Sequence, residues 1–495
     1  MRLRWRENFK LAAHKEILVT GATGYIGGRL VQSLLESGYQ VRVLVRDAAR
    51  LQGRSWVDQV AVFQGDVFKP ETLSKAMEGT SANYYLIHSM SGSGDFHERD
   101  LIAAKNFGKA AKDSGVERIL YLGGLGDPET NLSEHLKSRQ DSGRALAEAG
   151  VSVTEFRAAI IVGSGSISFE MIRYLTERIP IMICPRWVFT KVQPIAIKDV
   201  LAYLTRALEV PDSRGEVLEI GGAEVITYGD MMMGYARERG LKRILIPVPV
   251  LTPRLSSYWV HWMTPVPASI TRPLILGLRN EVIVRDNAAK FLFPNIQPVD
   301  YSTAVRRALA SLDMDEVETR WTDALASSVG DQSPVIMKTQ EGMIIVRRMV
   351  EVNAPQETVF NTLTRLGGEQ GWLYFDSAWK MLGVIDRLVG GVGFRRGRRH
   401  PVEVRAGDAI DFWRVEVVEP KKLMRLRAEM KLPGNAWLQF EVKPEKNNTS
   451  HFIQTTFFAP KGLFGFMYWY GLSPMHSMMF SGLLKKIKES AEVAG

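Results

Sequence analysis

The feature that most restricts the fold of this chain is a glycine-rich turn between a short apolar segment and an amphipathic one. Gly21, Gly24 and Gly27 recur every three residues directly after the apolar segment 16–20. At the first strand–helix turn of a βαβ unit, such glycines allow a tight turn, close approach to a pyrophosphate and packing of helix on strand. The helix N-terminus adds free N–H groups for phosphate. The spacing therefore predicts a dinucleotide-binding α/β fold, the alternative being a glycine turn without a ligand.

The first half of the chain alternates short apolar segments with amphipathic ones. This alternation predicts βαβ units and a parallel sheet with helices on both faces. From about residue 210 the pattern changes, and the segments 216–220 and 243–248 are predicted to be strands of a smaller lobe, closed by a helix at 301–312. The predicted strands of the main sheet are 16–20, 41–45, 60–63, 82–87, 118–122 and 151–156, and the predicted helices are 25–38, 100–114 and 138–149.

Composition and charge limit the class of protein. With 45% hydrophobic and 24% charged residues, the chain is typical of a globular protein, and its 495 residues allow about two to four domains. Cys184 is the single cysteine, which excludes an intrachain disulfide and a multi-cysteine metal site, and no metal site is predicted. The net charge of +9 favours anionic ligands or an anionic membrane surface, and no nucleic-acid motif is found.

The residue that follows the second predicted strand is basic, and this bears on which nicotinamide dinucleotide is bound. NAD-selective folds usually place an acidic residue there to bind the ribose, whereas this chain has Arg46. A guanidinium suits a 2′-phosphate, with Arg50 or Arg29 as helpers. The sequence therefore predicts NADP(H) in preference to NAD(H). The alternative is that Arg46 simply points into solvent.

Two further strand ends are predicted to contact the dinucleotide. Asp66 and Val67 follow the third strand, where a short polar turn can meet the adenine, although Asp66 is equally suited to capping a helix N-terminus. His88 and Ser89 follow the fourth strand, beside the expected nicotinamide. The complete predicted cofactor site consists of Gly21, Thr23, Gly24, Tyr25, Ile26, Gly27, Arg46, Asp66, Val67, His88 and Ser89.

Several segments of the first 312 residues resemble the short-chain dehydrogenase/reductase superfamily, in its extended and atypical branch near the NmrA-like proteins. The resemblance covers about residues 14–312 and implies a Rossmann fold that binds a nicotinamide dinucleotide. The segments that carry it are 20–28, 65–67, 157–163, 194–200 and 219–222.

The chain departs from that superfamily where catalysis usually takes place. Catalytic members use a Ser and a Tyr-x-x-x-Lys pair, in which the Tyr phenol is the acid. Here Gly123 or Gly124 stands in the Ser position, and the following helix carries His135 and Arg139, with Lys137 two positions out of phase.

Two interpretations of this departure stay open. In the first, His135 is a substitute acid, and Arg139 holds the ribose or the substrate. In the second, the site binds cofactor without hydride transfer, as in NmrA-like redox sensors and the NADPH-binding accessory subunit of respiratory complex I. A plain helix-surface position for His135 is the remaining alternative.

The final 160 or so residues have a different pattern, in which β-rich segments are separated by turn signals. Residues 343–490 resemble the DUF2867 family, a branch of the START-like (SRPBCC) helix-grip superfamily, in segments that include 386–393 and 428–434. The resemblance implies a curved antiparallel sheet around a C-terminal helix, with a cavity for a large apolar ligand. The predicted strands are 343–352, 402–405, 411–418, 422–429, 436–443 and 451–458, with a helix at 355–366.

The aromatic side chains of this region have two interpretations. They line the cavity that the resemblance implies, or they are ordinary core packing. They are Trp372, Trp379, Phe412, Trp413, Trp437, Phe457, Phe464 and Trp469.

An uncharged apolar stretch at 463–484 is long enough to cross a bilayer, but glycines and Pro474 interrupt it. It is predicted to be a buried or ligand-facing helix, with a membrane-spanning helix and interfacial membrane contact as alternatives. The predicted location is the cytoplasm. Contact with the inner face of the membrane, through this stretch and the basic N-terminus, stays open.

The predicted fold class is α/β: an N-terminal Rossmann fold with a parallel doubly wound sheet and a small substrate lobe, followed by an α+β helix-grip (START-like) domain. The predicted domains are a basic extension at 1–13, the dinucleotide-binding domain at 14–325 (cofactor part about 14–160, substrate lobe about 160–325), a linker at 326–342 and the C-terminal domain at 343–492.

The predicted function is NADP(H)-dependent oxidation or reduction of a bulky apolar carbonyl, quinone, polyketide or lipid-like substrate. Tyr258, Trp259 and Trp262 are predicted to line the substrate side. The alternative is a non-catalytic NADPH-binding sensor, assembly or lipid-handling protein.

Overall fold

Two separate structural units make up the chain in the computed structural model, Met1–Gly330 and Asp331–Gly495. Their boundary lies inside the range 326–342 that was interpreted as a linker. The predicted extension at 1–13 lies outside the described residues. The structure describes residues 16–51, 54–87, 96–248, 277–310, 335–340, 342–367, 371–388, 393, 404–445 and 448–494.

The N-terminal unit alternates strands with helices. Its strands are β1 (Glu16–Thr20), β2 (Gln40–Val45), β3 (Ala61–Gln64), β4 (Ala82–Tyr85), β5 (Arg118–Gly124), β6 (Ser152–Ala158), β7 (Ile161–Val162), β8 (Ile181–Pro185), β9 (Lys191–Val192), β10 (Ile195–Ala196), β11 (Val217–Ile220), β12 (Ile226–Thr227) and β13 (Ile244–Val248). Its helices are α1 (Tyr25–Glu36), α2 (Ser74–Met77), α3 (Phe96–Asp113), α4 (Glu134–Ala147), α5 (Ile167–Arg178), α6 (Ile197–Arg206), α7 (Tyr228–Glu238), α8 (Ala288–Leu292) and α9 (Tyr301–Ala310).

Seven of these strands form one parallel sheet in the order β11–β6–β5–β4–β1–β2–β3. The chain first winds outward from β1 to β3 and then returns to the other side of β1 through β4. This reversal is the topological switch point of a doubly wound fold, beside which such folds bind their ligands. The Rossmann-like parallel sheet predicted from the sequence is therefore confirmed.

The position of β11 differs from the prediction. The segment 216–220 was assigned to the smaller lobe, but β11 pairs in parallel with β6 and forms an edge of the main sheet. Leu218 and Ile220 are buried in the same core as Phe156 of β6. A four-residue apolar strand fits either location, so its partner is decided by tertiary packing.

Helices cover both faces of the sheet because the strands are apolar on both sides. On one face Val19 packs with Leu30 of α1 and Leu204 of α6. On the other face Leu18 packs with Phe107 of α3 in a second core. Alternate residues of β1 thus enter different cores, which keeps its carboxyl end fixed between two helical layers.

The smaller lobe lies beyond the main sheet. The predicted strand at 243–248 is β13, which pairs in parallel with β8. Helices α5, α7 and α9 share a separate hydrophobic core, in which Phe169, Tyr235 and Val305 are fully buried. The predicted closing helix at 301–312 corresponds to α9.

The C-terminal unit contains an antiparallel sheet. Its strands are β14 (Val335–Gln340), β15 (Met343–Val352), β16 (Ala409–Ile410), β17 (Trp413–Glu419), β18 (Leu423–Ala428), β19 (Gly434–Pro444) and β20 (Ser450–Pro460), and its helices are α10 (Gln356–Leu363), α11 (Asp376–Leu388), α12 (Gly462–Gly471) and α13 (Ser473–Ala494). The seven strands follow the order β14–β15–β20–β19–β18–β17–β16. β14 falls inside the predicted linker range, where it extends the sheet beside β15.

One face of this sheet, here called the inner face, packs against α10 and α13. Val352, Leu438 and Phe452 point to it and share a core with Leu483 and Ile487 of α13. The predicted aromatic residues are buried in this unit, with the exception of Phe464, which is 79% exposed. Helix α11 was not predicted, although Trp379, Leu382 and Ile385 recur at helical spacing along it.

The stretch 463–484 is not one helix, which corrects the prediction. It belongs to α12 and α13, which meet at Leu472. Pro474 lies in the first turn of α13, where a residue without a backbone N–H is tolerated. Among the helices that the structure describes, none combines the length and the apolar composition needed to cross a lipid bilayer.

His476 gives the C-terminal unit a pH-dependent stability. Burial and the nearby charge of Arg348 lower its pKa from the ordinary 6.5 to about 4. Because the pKa is lowered in the folded state, this residue stabilises the fold above pH 6.5, and its contribution is lost as the pH falls towards 4. A shift of this size corresponds to about 3 kcal/mol.

We therefore expect hydrogen exchange of α13 peptides, corrected for intrinsic rates, to accelerate between pH 6.5 and 4.5 in the wild type. In His476→Phe this pH dependence should be weaker, because the ring no longer takes up a proton on unfolding. Peptides from α1 serve as the internal control. The same pH dependence of α13 in both proteins would contradict the assignment.

Candidate functional site

The turn between β1 and α1 is held by close backbone contacts. Gly21 has φ 73°, and a Cβ built on it would lie 2.4 Å from the carbonyl oxygen of Leu86. A Cβ on Gly27 would lie 2.3 Å from the carbonyl oxygen of Gly21. Both positions therefore require glycine, one to let β1 turn beside β4 and the other to let α1 approach the turn. Thr20 strengthens the same junction, because its hydroxyl donates to the carbonyl of Tyr84 at 2.8 Å.

The N-terminus of α1 is suited to bind an anion. The helix has twelve residues, and among the described residues no side chain caps its first N–H groups. Its first turn contains no acidic residue, and Gly24 at the N-cap is exposed. The free N–H groups and the helix dipole therefore face a position that a phosphate can reach. These features fit the pyrophosphate of a nicotinamide dinucleotide.

Three arginines surround this helix end, and they are placed differently. Arg46 follows β2 and is exposed, and within the described part of the chain its guanidinium makes no hydrogen bond. Arg29 stacks on the ring of Tyr25 at 4.0 Å and donates to the carbonyl of Ser164 at 3.1 Å, so it points away from the end of β2. Arg54, which sequence reasoning missed, reaches the carbonyl of Thr23 at 3.4 Å. Arg54 thus contacts the glycine turn, while Arg46 follows β2, the strand that pairs with β1.

Asp66 and Val67 have local structural roles. The Oδ1 atom of Asp66 accepts a hydrogen bond from the N–H of Phe68 at 3.1 Å, which closes an Asx-type turn after β3. Val67 is buried, and its carbonyl accepts from the side chain of Asn106 at 2.9 Å. The N-cap residue of the following 3₁₀ turn is Lys69, not Asp66.

Several predicted site residues lie outside the described residues. These are His88 and Ser89 on the nicotinamide side and Tyr258, Trp259 and Trp262 on the substrate side. The chain that precedes His88 is described, and the backbone of Leu86 meets the glycine turn as expected for the end of β4.

A cavity of about 310 Å³ opens at the carboxyl ends of β5 and β6. Tyr25 and Ile26 of the glycine turn contribute to one side of its wall, and His135 and Arg139 of α4 contribute to another. The volume is at the lower end of the range for small-molecule sites. Most of the remaining wall is apolar and comes from the smaller lobe, including Leu125, Ile160, Met171, Ile172, Leu175, Met232 and Leu278.

The two predicted catalytic positions share a helix face, while their neighbour does not. His135 and Arg139 are one helical turn apart, and both line the cavity. Lys137 is exposed and is absent from the wall. Arg139 is fixed by β5, because it donates to the carbonyl of Leu122 and its guanidinium lies 5.6 Å from the ring centre of Tyr121. His135 and Arg139 are therefore the two ionisable groups of α4 in the described wall of the cavity.

The two glycines that correspond to the usual Ser position have different surroundings. A Cβ on Gly124 would lie 3.1 Å from Leu136 and 3.5 Å from Arg139, on the side of α4. A Cβ on Gly123 would lie 2.8 Å from Oε1 of Glu155. Gly124 thus stands where a serine hydroxyl would face the helix, and Gly123 leaves room for a buried carboxylate.

Glu155 is that carboxylate, and sequence reasoning missed it. It is 3% exposed on β6 and accepts a hydrogen bond from Nε of Arg157 at 2.7 Å. A Cβ on Gly143 of α4 would lie 2.2 Å from its other oxygen, so the helix passes directly over it. Burial raises the pKa of Glu155, and Arg157 opposes this shift. No sequence signal marked it, because a glutamate in a short strand usually faces solvent.

Tyr121 lies close to this group but is unsuited as a proton donor. Its hydroxyl donates to the backbone carbonyl of Arg139 at 2.8 Å, and burial raises its pKa to about 12. It is not part of the cavity wall. Its role is therefore to attach α4 to β5.

Trp187 adds a polar atom to the apolar wall. Its side chain lines the cavity, and its indole Nε1 is buried without a hydrogen-bond partner in the described part of the chain. An unpaired buried donor is costly, and a ligand oxygen in the cavity would satisfy it. A single tryptophan in a loop gave no sequence signal for this position.

Comparison with known families identifies both halves of the chain. The profile of a family described as NAD(P)H-binding matches residues 21–154. The profile of a family described as a protein of unknown function, DUF2867, matches residues 346–483. The chain therefore contains an NAD(P)H-binding domain followed by a DUF2867 domain, as predicted.

Curated relatives match about half of the chain. A ceramide reductase of Caulobacter vibrioides is 27% identical over 238 residues, which cover 47% of this chain and 73% of that protein. The mitochondrial NADH dehydrogenase (ubiquinone) 1 alpha subcomplex subunit 9 of Arabidopsis thaliana is 26% identical over 289 residues, covering 55% of this chain and 72% of that protein. The photosystem II assembly factor Ycf39 of Cyanophora paradoxa is 25% identical over 241 residues, covering 47% and 72%.

The glycine turn gives a direct test of dinucleotide binding. In Gly27→Ala the new methyl group collides with the Gly21 carbonyl, so we expect the affinity for NADPH to fall about tenfold or more, a loss of roughly 1.4 kcal/mol or more. Fluorescence titration measures this affinity. The control is Gly28→Ala, whose Cβ would meet the mobile end of Arg54 at 3.1 Å and the Ala22 carbonyl at 3.2 Å, and it should bind more tightly than Gly27→Ala. Equal binding by Gly27→Ala and the wild type would contradict the site.

Proposed function

We propose that this protein is an NADP(H)-dependent oxidoreductase that reduces a carbonyl group or quinone of a bulky apolar substrate. The observation that carries the proposal is the cavity, which joins the first turn of α1 to His135 and Arg139 and is otherwise mostly apolar. A dinucleotide bound at the glycine turn would extend towards this cavity, because both lie at the carboxyl edge of one parallel sheet. The likeness to a ceramide reductase supports the same class of reaction.

The nicotinamide would supply a hydride to the carbonyl carbon of the substrate. His135 would donate a proton to the carbonyl oxygen, and the alcohol would leave with oxidised cofactor as the second product. Arg139, held on β5, would orient the oxygen or the ribose. The buried N–H of Trp187 is a second donor for a substrate oxygen. Met171 and Met232 give the wall a flexible apolar surface suited to a large substrate.

A preference for NADP(H) is proposed from Arg46 and Arg54. Arg54 contacts the glycine turn, Arg46 follows the neighbouring strand β2, and a guanidinium pairs well with a 2′-phosphate. The first residue after β2 is Arg46, and Asp47 comes next. This arrangement favours the phosphorylated dinucleotide.

For the C-terminal unit we propose a START-like helix-grip domain that holds an apolar ligand. The antiparallel sheet with α13 packed on its inner face supports this assignment. The aromatic residues in its core are packed against one another, as in the stack of Trp372 on Trp379 at 5.1 Å. The domain would present or store a substrate of the same apolar class.

A non-catalytic NADPH-binding protein is the second candidate. The observation that favours it is the pair Gly123 and Gly124 in place of the usual Ser, together with the loss of the Tyr-x-x-x-Lys pair. The likenesses to a subunit of NADH dehydrogenase and to an assembly factor support this class. In this case the cavity would hold a ligand that stabilises the bound cofactor or through which the protein senses it.

Turnover with a matched pair of variants separates the two candidates. We expect the wild type to oxidise NADPH at 340 nm with at least one member of a panel of quinones, enones and long-chain ketones. In His135→Ala, kcat should fall about 100-fold or more with little change in NADPH affinity. Lys137→Ala, on the same helix but away from the cavity, should keep full activity. Tight NADPH binding without turnover on the whole panel would favour the second candidate.

Arg46 allows a test of cofactor choice. In Arg46→Asp we expect NADPH binding to weaken about 10- to 100-fold, because a carboxylate replaces the charge that pairs with the 2′-phosphate. NADH binding should stay unchanged or improve. Arg46→Lys retains the positive charge, so its affinity for NADPH should fall much less. An equal loss for both dinucleotides would contradict the proposed role.

A further inference from the structure

The inner face of the C-terminal sheet contains a buried cation without a carboxylate partner. Arg348 of β15 is 4% exposed, and its Nε donates to the hydroxyl of Ser481 at 3.2 Å. Its Nη1 is buried and has no hydrogen-bond partner, and no ion pair to Arg348 exists among the described residues. Burial alone lowers the pKa of Arg348, to about 10. A guanidinium stays charged at neutral pH, so this group is in a costly environment as it stands.

Unpaired polar groups of the neighbouring strand face the same place. Gln454 of β20 stands directly opposite Arg348 in the sheet and is fully buried. Among the described residues neither its amide oxygen nor its amide nitrogen has a partner, and the hydroxyl of Thr456, two residues along the same face, also has none. Side chains at directly opposed positions are close enough to pair. Within the described part of the chain Arg348 and Gln454 do not pair with each other, so the polar atoms of both can hydrogen-bond to a third group.

Aromatic rings border this polar cluster. The guanidinium of Arg348 lies 5.8 Å from the ring centre of Phe480, and the ring of His476 lies 5.1 Å from that of Trp469. Trp469 in turn stacks on Phe458 at 5.1 Å. His476 is uncharged at neutral pH because its pKa is lowered, so it adds no second positive charge. The surroundings thus combine one cation and amide and hydroxyl groups with an apolar wall.

We infer that the inner face of the C-terminal sheet binds the carboxylate of an apolar monocarboxylic acid, held by Arg348, Gln454 and Thr456 beneath α13. A carboxylate takes two N–H donors from a guanidinium and leaves oxygen lone pairs for an amide N–H and a hydroxyl. Ser481 is exposed although it contacts Arg348, so the cluster lies close beneath the surface. The inference rests on the proposal that this unit holds an apolar ligand, and it is independent of hydride transfer by the other unit.

The test compares decanoate, 1-decanol and acetate by isothermal titration of the full chain at pH 7.5. We expect decanoate to bind about tenfold or more tightly than decanol, and acetate to bind much more weakly than either. In Arg348→Met, the affinity for decanoate should fall about 10- to 100-fold, while the affinity for decanol should not change. Arg347→Met is the matched control, because Arg347 is the next residue of β15 and faces the other side of the sheet. It should leave both affinities unchanged.

The outcomes separate this inference from the proposal on which it rests. Equal binding of decanoate and decanol, unaffected by Arg348→Met, would overturn the carboxylate site and keep an apolar ligand, with buried water as the partner of the polar groups. No binding of either compound would overturn both. Acetate binding as tight as decanoate would overturn the apolar part of the assignment.

A second variant tests the site by adding a carboxylate to it rather than by removing the charge of Arg348. Gln454→Glu keeps the shape of the side chain and supplies Arg348 with an internal carboxylate. We expect the melting temperature without ligand to rise and decanoate binding to be lost, because the ligand's position is occupied. Gln454→Met should keep decanoate binding above one tenth of the wild-type affinity. A lower melting temperature with retained decanoate affinity in Gln454→Glu would overturn the inference.

Discussion

The dinucleotide-binding half of the molecule depends on one close approach of backbones at the end of β1. The carbonyl of Leu86 comes within contact distance of Gly21, and the carbonyl of Gly21 comes within contact distance of Gly27 in the first turn of α1. No side chain fits at either glycine. This contact fixes β1 beside β4 and sets α1 with its uncapped N-terminus at the switch point of the sheet. Everything that defines the cofactor site follows from it: the exposed N–H groups, the neighbouring arginines and the cavity on the adjoining strands.

A second close approach explains why the usual catalytic residues have no place here. Helix α4 passes over the buried carboxylate of Glu155, which only glycines at 123 and 143 permit. Glu155, behind Gly123, is paired with Arg157, and Arg139, beside Gly124, is attached to β5, so buried charge lies next to both glycines. A buried pair holds its members in fixed positions, since breaking it leaves an uncompensated charge. The first turn of α4 carries His135, which lines the cavity.

The C-terminal unit shows the opposite arrangement. There the buried cation, Arg348, has no carboxylate partner among the described residues, and Gln454 and Thr456 of the neighbouring strand are unpaired in the same part of the chain. At Glu155 the chain supplies the counter-charge itself through Arg157, whereas at Arg348 we infer that a ligand supplies it. Arg118, which is buried in the N-terminal unit, is instead satisfied by hydroxyl and carbonyl oxygens of the chain.

The sequence by itself determined the alternation of strands and helices in the main sheet and the glycine turn, because these depend on local periodicity and on backbone conformations that few residues allow. It also identified the helix positions of His135 and Arg139, since residues four apart share a helix face. Only the tertiary structure placed β11 in the main sheet, divided the apolar stretch 463–484 between two helices, and brought Glu155, Trp187 and Arg54 to the site. Those residues come from separate parts of the chain. Their contacts depend on how closely helices and strands approach one another, and that distance is set by packing across the whole unit, which local sequence does not encode.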